Sequence, residues 1–161
     1  MSGTGATGSD NGAGGPPRIQ IVAQYVKDLS FENPNPPGSV GQYAIEMGVD
    51  LQGRRVEGQT FEVELKLRIN AKSPEDKQVF LLELVYAGLL QIMNVPEEVM
   101  QQVLLIEAPS LMFPFARRII ADAVRDGGLP PLMLGPIDFA GLFRARVEQA
   151  QQMRAPAGGN A

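Results

Sequence analysis

The sequence predicts an α+β fold, in which a four-stranded antiparallel sheet carries its helices on one face. Three observations lead to this prediction. Apolar and polar residues alternate with a period of two in several stretches of the first half, which is the pattern of half-buried strands. Short turn-forming segments separate the later strand patterns and favour antiparallel neighbours. Helical patterns begin only after the last strand, an order typical of helices that pack against one face of a sheet.

Four strands are predicted from this alternation. The first is apolar on both faces, the second and third alternate cleanly, and the fourth is nearly all apolar: residues 19–29, 43–52, 61–70 and 79–90. Turns predicted at residues 52–55 and 72–76 join the last three strands in a meander. The segment FENPNPPGSVG, residues 31–41, is too long for a hairpin and is predicted to be a proline-rich crossover between the first and second strands.

The helices follow the sheet. Pro96, followed by two glutamates, marks the start of the first helix, because proline suits the first turn and acids suit the positive end of the helix dipole. Pro109 and Pro114 bracket a predicted break or restart. A second helix then runs to Asp126, where two glycines end it.

An extended apolar segment, GGLPPLMLGPIDF, occupies residues 127–139. Its three prolines exclude a continuous helix and a central strand. Asp138 is predicted to be the N-cap of a last helix, which runs from Phe139 to about Met153. The segment is therefore a loop between the last two helices, either a buried connector or part of a surface that other chains contact.

The domain organisation follows from composition. Residues 18–153 form one predicted domain, flanked by a Gly- and Ser-rich disordered tail at residues 1–17 and a second disordered tail at residues 154–161. The N-terminus has no basic stretch followed by an apolar one, so it is not a secretory signal. The longest apolar run, residues 79–95, is interrupted by polar residues and is too short to span a membrane. We expect a soluble cytoplasmic protein without direct membrane insertion.

The composition narrows the possible functions. The 161 residues include no cysteine and no histidine, which excludes disulfides, Cys/His zinc sites and catalysis by an imidazole base. We therefore expect no metal and no cofactor. The net charge is −4 and basic residues are not clustered, which argues against a nucleic-acid partner and favours a basic protein partner.

Two interpretations remain for the acidic residues of the predicted sheet. A carboxylate enzyme would need two acids that converge on a closed pocket with shifted pKa values. Glu62 and Glu64 share a face, but that face is predicted to point to solvent. In the fourth strand the same face carries Val79, Leu81, Glu83 and Val85. Exposed aliphatic residues beside an acid are typical of a contact surface, so docking or oligomerisation is the favoured interpretation.

Three segments together resemble the SecB family of bacterial protein-export chaperones. They are YVKDLSFENPNPP at residues 25–37, FLLELVYAGLLQI at residues 80–92, and APSLMFPFARRIIADAVRDGGLPPLMLGPIDFAGLF at residues 108–143. The resemblance implies a homotetramer, built as a dimer of dimers through edge-to-edge pairing of the first strands, with the helices between two extended sheets. This pairing would explain a first strand that is apolar on both faces.

The resemblance also implies a function. Members of this family have no enzymatic activity and bind no nucleotide; as ATP-independent holdases they keep precursor proteins unfolded and export-competent. They then deliver these clients to the motor ATPase of the Sec translocase, SecA. The alternative is a solitary SecB-like chaperone of a toxin–antitoxin system, which the genomic neighbourhood would distinguish.

Two sets of site residues are implied by the resemblance. A client-binding groove between the sheet, the crossover and the loop joining the last two helices would be lined by Tyr43, Phe80, Leu82, Leu129, Leu132 and Met133. Docking of the small, basic, zinc-bearing tail of the motor maps to Asp28, Glu32, Leu81 and Glu83. The zinc belongs to the partner, in agreement with the absence of cysteine and histidine here.

Overall fold

The computed structural model of the chain describes residues 14–154. Its elements, in chain order, are four strands, two helices joined by a π-helical segment, and a last helix: β1 Arg18–Glu32, β2 Ala44–Glu57, β3 Thr60–Lys72, β4 Gln78–Met93, α1 Glu97–Gln102, the π segment Val103–Glu107, α2 Ala108–Asp126 and α3 Phe139–Arg154. The strands form one antiparallel sheet in the order β1-β4-β3-β2. The predicted fold class is confirmed, with β3 and β4 in the centre of the sheet and β1 and β2 at its edges.

The core lies between one face of the sheet and the helices. On β3, the residues that face the helices are at most 1% exposed: Val63, Leu65, Leu67 and Ile69. On α2 their counterparts include Met112 and Ile120, both at 0%. Gly88 allows this close approach, because a Cβ there would lie 2.9 Å from the Met112 sulfur. Each fully buried side chain of this size contributes about 1.5–3 kcal/mol, so the sheet face and α2 stabilise each other.

The prediction of a turn at residues 52–55 is wrong. β2 continues through it to Glu57, and the chain reverses at Gly58, where φ is +55°. Gly53, which suggested the turn, lies inside the strand beneath Leu104, and a Cβ there would approach the Leu104 Cβ to 3.0 Å. Glycine is therefore needed at this position for packing against the π segment rather than for chain reversal.

The prediction of a helix break at Pro109 and Pro114 is also wrong, because α2 continues through both residues. What changes is the winding: the π segment precedes Pro109, and the Ala108 amide donates to the Val103 carbonyl five residues back. Proline offers no amide donor at the next position, so the turn before it widens without ending the helix. The other helix predictions are confirmed, including the Asp138 cap, whose carboxylate accepts from the Gly141 amide at 3.0 Å.

β1 departs from the expected pattern because it contains two β-bulges. Val22 and Lys27 have no opposite residue on β4, so each shifts the alternation of side chains by one. As a result Ile21, Val26 and Leu29 lie opposite helix-facing residues of β4, although simple alternation would separate them. β1 therefore carries apolar residues on both faces, but unequally: most of them lie on the helix-facing side, whereas Ala23 and Tyr25 lie on the outward side.

A buried carboxylate links three strands on the opposite, outward face. The Glu62 side chain, which is only 8% exposed, accepts hydrogen bonds from the Tyr25 hydroxyl, from Lys27 Nζ at 3.2 Å and from Arg54 Nε at 3.2 Å. These bonds, above all the one from Tyr25, hold the pKa of Glu62 below its ordinary value, although burial acts to raise it. Tyr25 can reach Glu62 across β4 because its neighbour there is the small, fully buried Ala87.

Glu62→Gln tests the contribution of this network to stability. At pH 7 we expect the free energy of unfolding to fall by about 1–3 kcal/mol, since charge-assisted hydrogen bonds are lost at a buried site. The folded state lowers the pKa of Glu62, so the wild type keeps this advantage above the ordinary value of 4.5. The advantage is lost as the pH falls through the lower pKa of the folded state. Urea unfolding at several pH values should therefore show the difference between the two proteins shrinking in acid.

Glu97→Gln is the matched control. Glu97 is exposed and pairs at the surface with Arg55, so its substitution should leave the unfolding free energy nearly unchanged. A difference between wild type and Glu62→Gln that stayed constant from neutral to acid pH would contradict the assignment of a lowered pKa to Glu62.

Candidate functional site

The loop between α2 and α3, residues 127–138, is fixed at its start by the crossover. The Asn33 side chain donates to the Gly127 carbonyl at 2.7 Å. The Phe31 ring lies against Gly127, where a Cβ would come within 2.5 Å of it. Gly128 adopts a φ of +87° beside Pro37, a conformation that favours glycine. The crossover and the loop therefore lie side by side, as the resemblance implied.

Three aromatic rings form a cluster under the crossover. Phe80 lies in the centre, with ring centroids 5.7 Å from both Phe31 and Tyr43, and Tyr43 meets it edge to face. Phe80 is fully buried, whereas Tyr43 is half-buried. Such ring pairs are worth about 0.5–1.5 kcal/mol beyond their burial, so the cluster holds the crossover against the sheet.

The structure divides the six groove residues into buried and accessible ones. Phe80 and Leu82 are 0% exposed, so neither side chain is accessible to another chain in this conformation. The prediction that these two residues line an open groove does not agree with the structure. The reason is their direction: both point to the helix-facing side of β4, where Leu82 lies between Phe31 and Ile69.

Accessible apolar surface comes instead from the loop and the end of the crossover. Leu129 is 9% exposed and belongs to the core, Leu132 and Tyr43 are half-buried, and Met133 is 67% exposed. A depression of about 500 Å³ lies between the crossover and the β3–β4 turn; Val40 and Val79 line it, but most of its lining is polar. The side chains of this set that another chain can reach are therefore Tyr43, Leu132 and Met133.

Two further apolar residues extend this surface along β2. Ile45 and Met47 follow Tyr43, lie on the helix-facing side, and are 38% and 41% exposed. The alternation of β2 placed them on its apolar face, but only the packing shows that no helix covers that end of the strand, whereas Leu51 further along is buried. Sequence reasoning did not assign them to the groove.

The four residues assigned to docking lie together on the outward face of the sheet. On β1, Asp28 lies opposite Val85, and Glu32 lies opposite Leu81. Glu83 is between those two β4 residues and pairs with Arg68 at 2.8 Å. Both acids of β1 are exposed, and Leu81 and Glu83 are half-buried.

One member of the predicted outward patch is not exposed. Val79 is 5% exposed, because the pairing of β4 with β3 is irregular there: Phe80 pairs with Ala71 and Gln78 with Lys72. The Val79 carbonyl accepts from the Asn35 side chain of the crossover at 2.9 Å. Val79 therefore belongs to the structure under the crossover and not to the outward face.

Two acids of β2 widen the outward face beyond the predicted set. Glu46 lies opposite Asn70, in the same row as Leu81, and Asp50 lies opposite Lys66, in the same row as Val85. Both are exposed. Acids from three strands thus surround Lys66 and Arg68, beside a depression of about 330 Å³. The alternation of the second strand already predicted that Glu46 and Asp50 share its polar face. Only the strand register shows that this face lies beside the proposed docking residues.

The arrangement of acids does not favour catalysis. Glu62 and Glu64 are both paired with the Lys27 ammonium, and the pKa of Glu62 is lowered, which keeps it ionised. A general acid or base that works near neutral pH needs a raised carboxyl pKa instead. The surfaces described are suited to binding, one apolar and one acidic.

Within residues 14–154, no helix combines the length and the apolar character that spanning a membrane requires.

Comparisons with known proteins agree with this geometry. The family model of the preprotein translocase subunit SecB matches residues 13–150. A protein-export protein SecB of Parvibaculum lavamentivorans is 48% identical, with 98% of each chain covered. The SecB protein of Maricaulis maris is 53% identical over 88% of this chain and 84% of its own.

A solved structure supports the fold independently. The SecB-like chaperone of Mycobacterium tuberculosis, in complex with a peptide from an antitoxin, matches with a TM-score of 0.65 over 74% of this chain and 91% of its own. Its sequence is only 15% identical, so this likeness concerns the fold alone. Together with the family match over most of the chain, these findings show that the chain belongs to the SecB family, and that it is a protein-export chaperone and not an enzyme.

Proposed function

We propose that the chain is an ATP-independent holdase of the bacterial cytoplasm, which keeps precursor proteins unfolded and delivers them to the motor ATPase SecA of the Sec translocase. The observation that carries this proposal is accessible apolar surface in two places: the loop between α2 and α3, where Met133 is 67% exposed, and the start of β2, where Ile45 and Met47 are 38% and 41% exposed. Several exposed apolar side chains in one region, rather than a single one, are typical of a contact surface.

The chemistry of this surface suits clients of varied sequence. Methionine and leucine side chains adapt to differently shaped partners, since methionine has several rotatable bonds and a polarizable sulfur. The half-buried Tyr43 adds an apolar ring with a polar end. An extended client segment would lay its apolar side chains against the loop and along Ile45 and Met47 of β2, which lies at an edge of the sheet.

The proposed assembly is a homotetramer, built as a dimer of dimers. Two separate apolar faces support it. At the β1 edge, Val22, Val26 and Leu29 are 45–52% exposed. On α2, Leu111 and Phe115 are each 47% exposed and lie one turn apart, away from their buried neighbour Met112. Two self-complementary contacts on different sides of one subunit produce a closed tetramer.

Motor docking is proposed at the outward face, through Asp28, Glu32, Leu81 and Glu83. Exposed acids attract a basic tail and steer its approach, and the half-buried Leu81 supplies an apolar contact among them. Because this face lies on the opposite side of the sheet from the groove, the motor would engage the chaperone without first displacing the client.

The toxin–antitoxin alternative receives less support. The antitoxin peptide is bound to the M. tuberculosis protein, whose sequence is 15% identical to this chain. The curated relatives at 48% and 53% identity are named as protein-export proteins. Export is therefore the role favoured by sequence similarity.

The proposed function is tested by following the aggregation of a refolding precursor protein by light scattering, with the mass of the chaperone measured in the same samples. We expect suppression of aggregation without ATP at a near-stoichiometric ratio of tetramer to client, and a mass of four chains. Unchanged aggregation together with a monomeric mass would contradict the proposal.

Met133→Glu tests the groove. Because Met133 is 67% exposed, the charge should leave the melting temperature unchanged but weaken the affinity for an unfolded client by about 5- to 10-fold, or about 1–1.4 kcal/mol. Fluorescence titration with a labelled unfolded client measures this effect. Met153→Glu is the control, since Met153 is 81% exposed at the end of α3; equal losses in both variants would exclude a specific role of the loop.

Leu81→Arg combined with Glu83→Arg tests the docking face. The double variant should lose detectable binding to the zinc-loaded tail peptide of SecA, because it places two cations on an acidic contact surface, while client capture stays at the wild-type level. Calorimetry measures the first property and the aggregation assay the second. Glu148→Arg on α3, an exposed acid elsewhere, should alter neither, and a parallel loss of client capture in the double variant would show that the face is assigned incorrectly.

A further inference from the structure

The second bulge of β1 decides which way the proposed docking acids point. Before it, Val26 lies opposite Tyr86; after it, Asp28 lies opposite Val85, and Lys27 has no opposite residue. A bulge of this kind bends the strand and redirects the side chains that follow. Asp28 and Glu32 therefore lie on the outward face because Lys27 is an additional, unpaired residue in β1.

The consequence of losing the bulge follows from the register. If the bulge were absent and Lys27 paired regularly opposite Val85, Asp28 would lie opposite Leu84 and Glu32 opposite Phe80. A one-residue shift moves every later side chain to the other face. Leu84 is 1% exposed and Phe80 is 0% exposed. Both acids would then face the apolar core and the outward face would lose them, so the presence of the bulge at this point matters for docking.

The bulged residue, Lys27, is held from outside β1 by two ion pairs. Lys27 Nζ lies 3.2 Å from a Glu62 carboxylate oxygen and 2.5 Å from one of Glu64. Both glutamates are on β3, two strands away, and their side chains are 8% and 18% exposed. The contact is possible because Ala87, which separates the strands at this level, is small and fully buried.

We propose that Lys27 is a positioning residue for partner docking, since its ion pairs with Glu62 and Glu64 hold the β1 bulge that directs Asp28 and Glu32 to the outward face. This inference rests on the docking proposed above and adds the element that sets its geometry. Lys27 need not contact the partner; it fixes the point at which the alternation of an edge strand changes.

Charge alone predicts the opposite result, which makes the inference testable. Removing a cation from an acidic face should tighten the binding of a basic partner. A positioning role instead predicts that Lys27→Met weakens binding of the zinc-loaded SecA tail peptide by about 5-fold or more, because the acids no longer hold their register. Lys66→Met is the matched control: Lys66 lies on the same face, and its ion pair at 3.9 Å is with Glu64 of its own strand. Its loss removes a cation without removing an ion pair to β1, so binding should stay equal or become tighter.

The register can be read without the partner. The chain contains no cysteine, so Ser30→Cys with Glu83→Cys introduces a single pair at positions that lie directly opposite each other. Their disulfide should form readily in the background with Lys27, since opposite residues of paired strands lie within the Cα separation that a disulfide spans. It should form several-fold more slowly with Lys27→Met, and the conservative Lys27→Arg should restore both cross-linking and peptide binding.

The outcomes separate the two proposals. Weaker peptide binding together with slower cross-linking supports the positioning role, whereas unchanged or tighter binding overturns it. Weaker binding with unchanged cross-linking also overturns it, because Lys27 would then act as a direct contact. If the wild type itself does not bind the peptide, the docking proposal fails, and cross-linking alone still decides whether Lys27 sets the register. If Lys27→Met does not fold, Glu64→Gln removes one of the two ion pairs, and normal cross-linking in that variant overturns the inference.

Discussion

The alternation of side chains across the sheet is the constraint on which the other features of this molecule depend. Every residue of a strand belongs to one face, and here the two faces have different tasks. The helix-facing side is sealed by α2 along β3, where Val63 and Leu65 have no exposed surface. The outward side carries acids from β1, β2 and β4. A shift of one residue would exchange the two faces, so accurate register is a requirement of stability and, under the docking proposal, of partner binding as well.

Sequence reasoning recovered what depends on local pattern. The clean alternation of β3, the start of α1 at Glu97 and the cap at Asp138 are each encoded by neighbouring residues, and the structure confirms them. The errors occurred where a distant contact decides. Gly53 resembled a turn because nothing nearby reveals that Leu104 packs against it. The bulge at Lys27 could not be predicted either, because the glutamates that pair with Lys27 lie 35 and 37 residues away in the chain.

The same limit applies to the candidate site. The outward positions of Leu81 and Glu83 follow from the period of the fourth strand, so they could be predicted. The exposure of a residue could not be predicted, because it depends on which other elements cover that residue. Phe80 and Met133 are both apolar, yet Phe80 is 0% exposed and Met133 is 67% exposed. Ile45 and Met47 were recognised as apolar strand residues, and only the extent of the helices shows that they are uncovered.

The buried and exposed parts of the groove complement each other physically. A surface that must accept many sequences benefits from adaptable side chains. If the loop that carries them were unsupported, its backbone would also lose conformational freedom each time a client binds, which weakens binding. The Phe31, Phe80 and Tyr43 cluster, the Asn33 bond to Gly127 and the glycine conformation at Gly128 fix the backbone in advance. Ordering is thereby confined to side chains such as Met133. In the proposed groove, the fully buried Phe80 and Leu82 therefore have a supporting role: they belong to the frame that holds the accessible side chains in place.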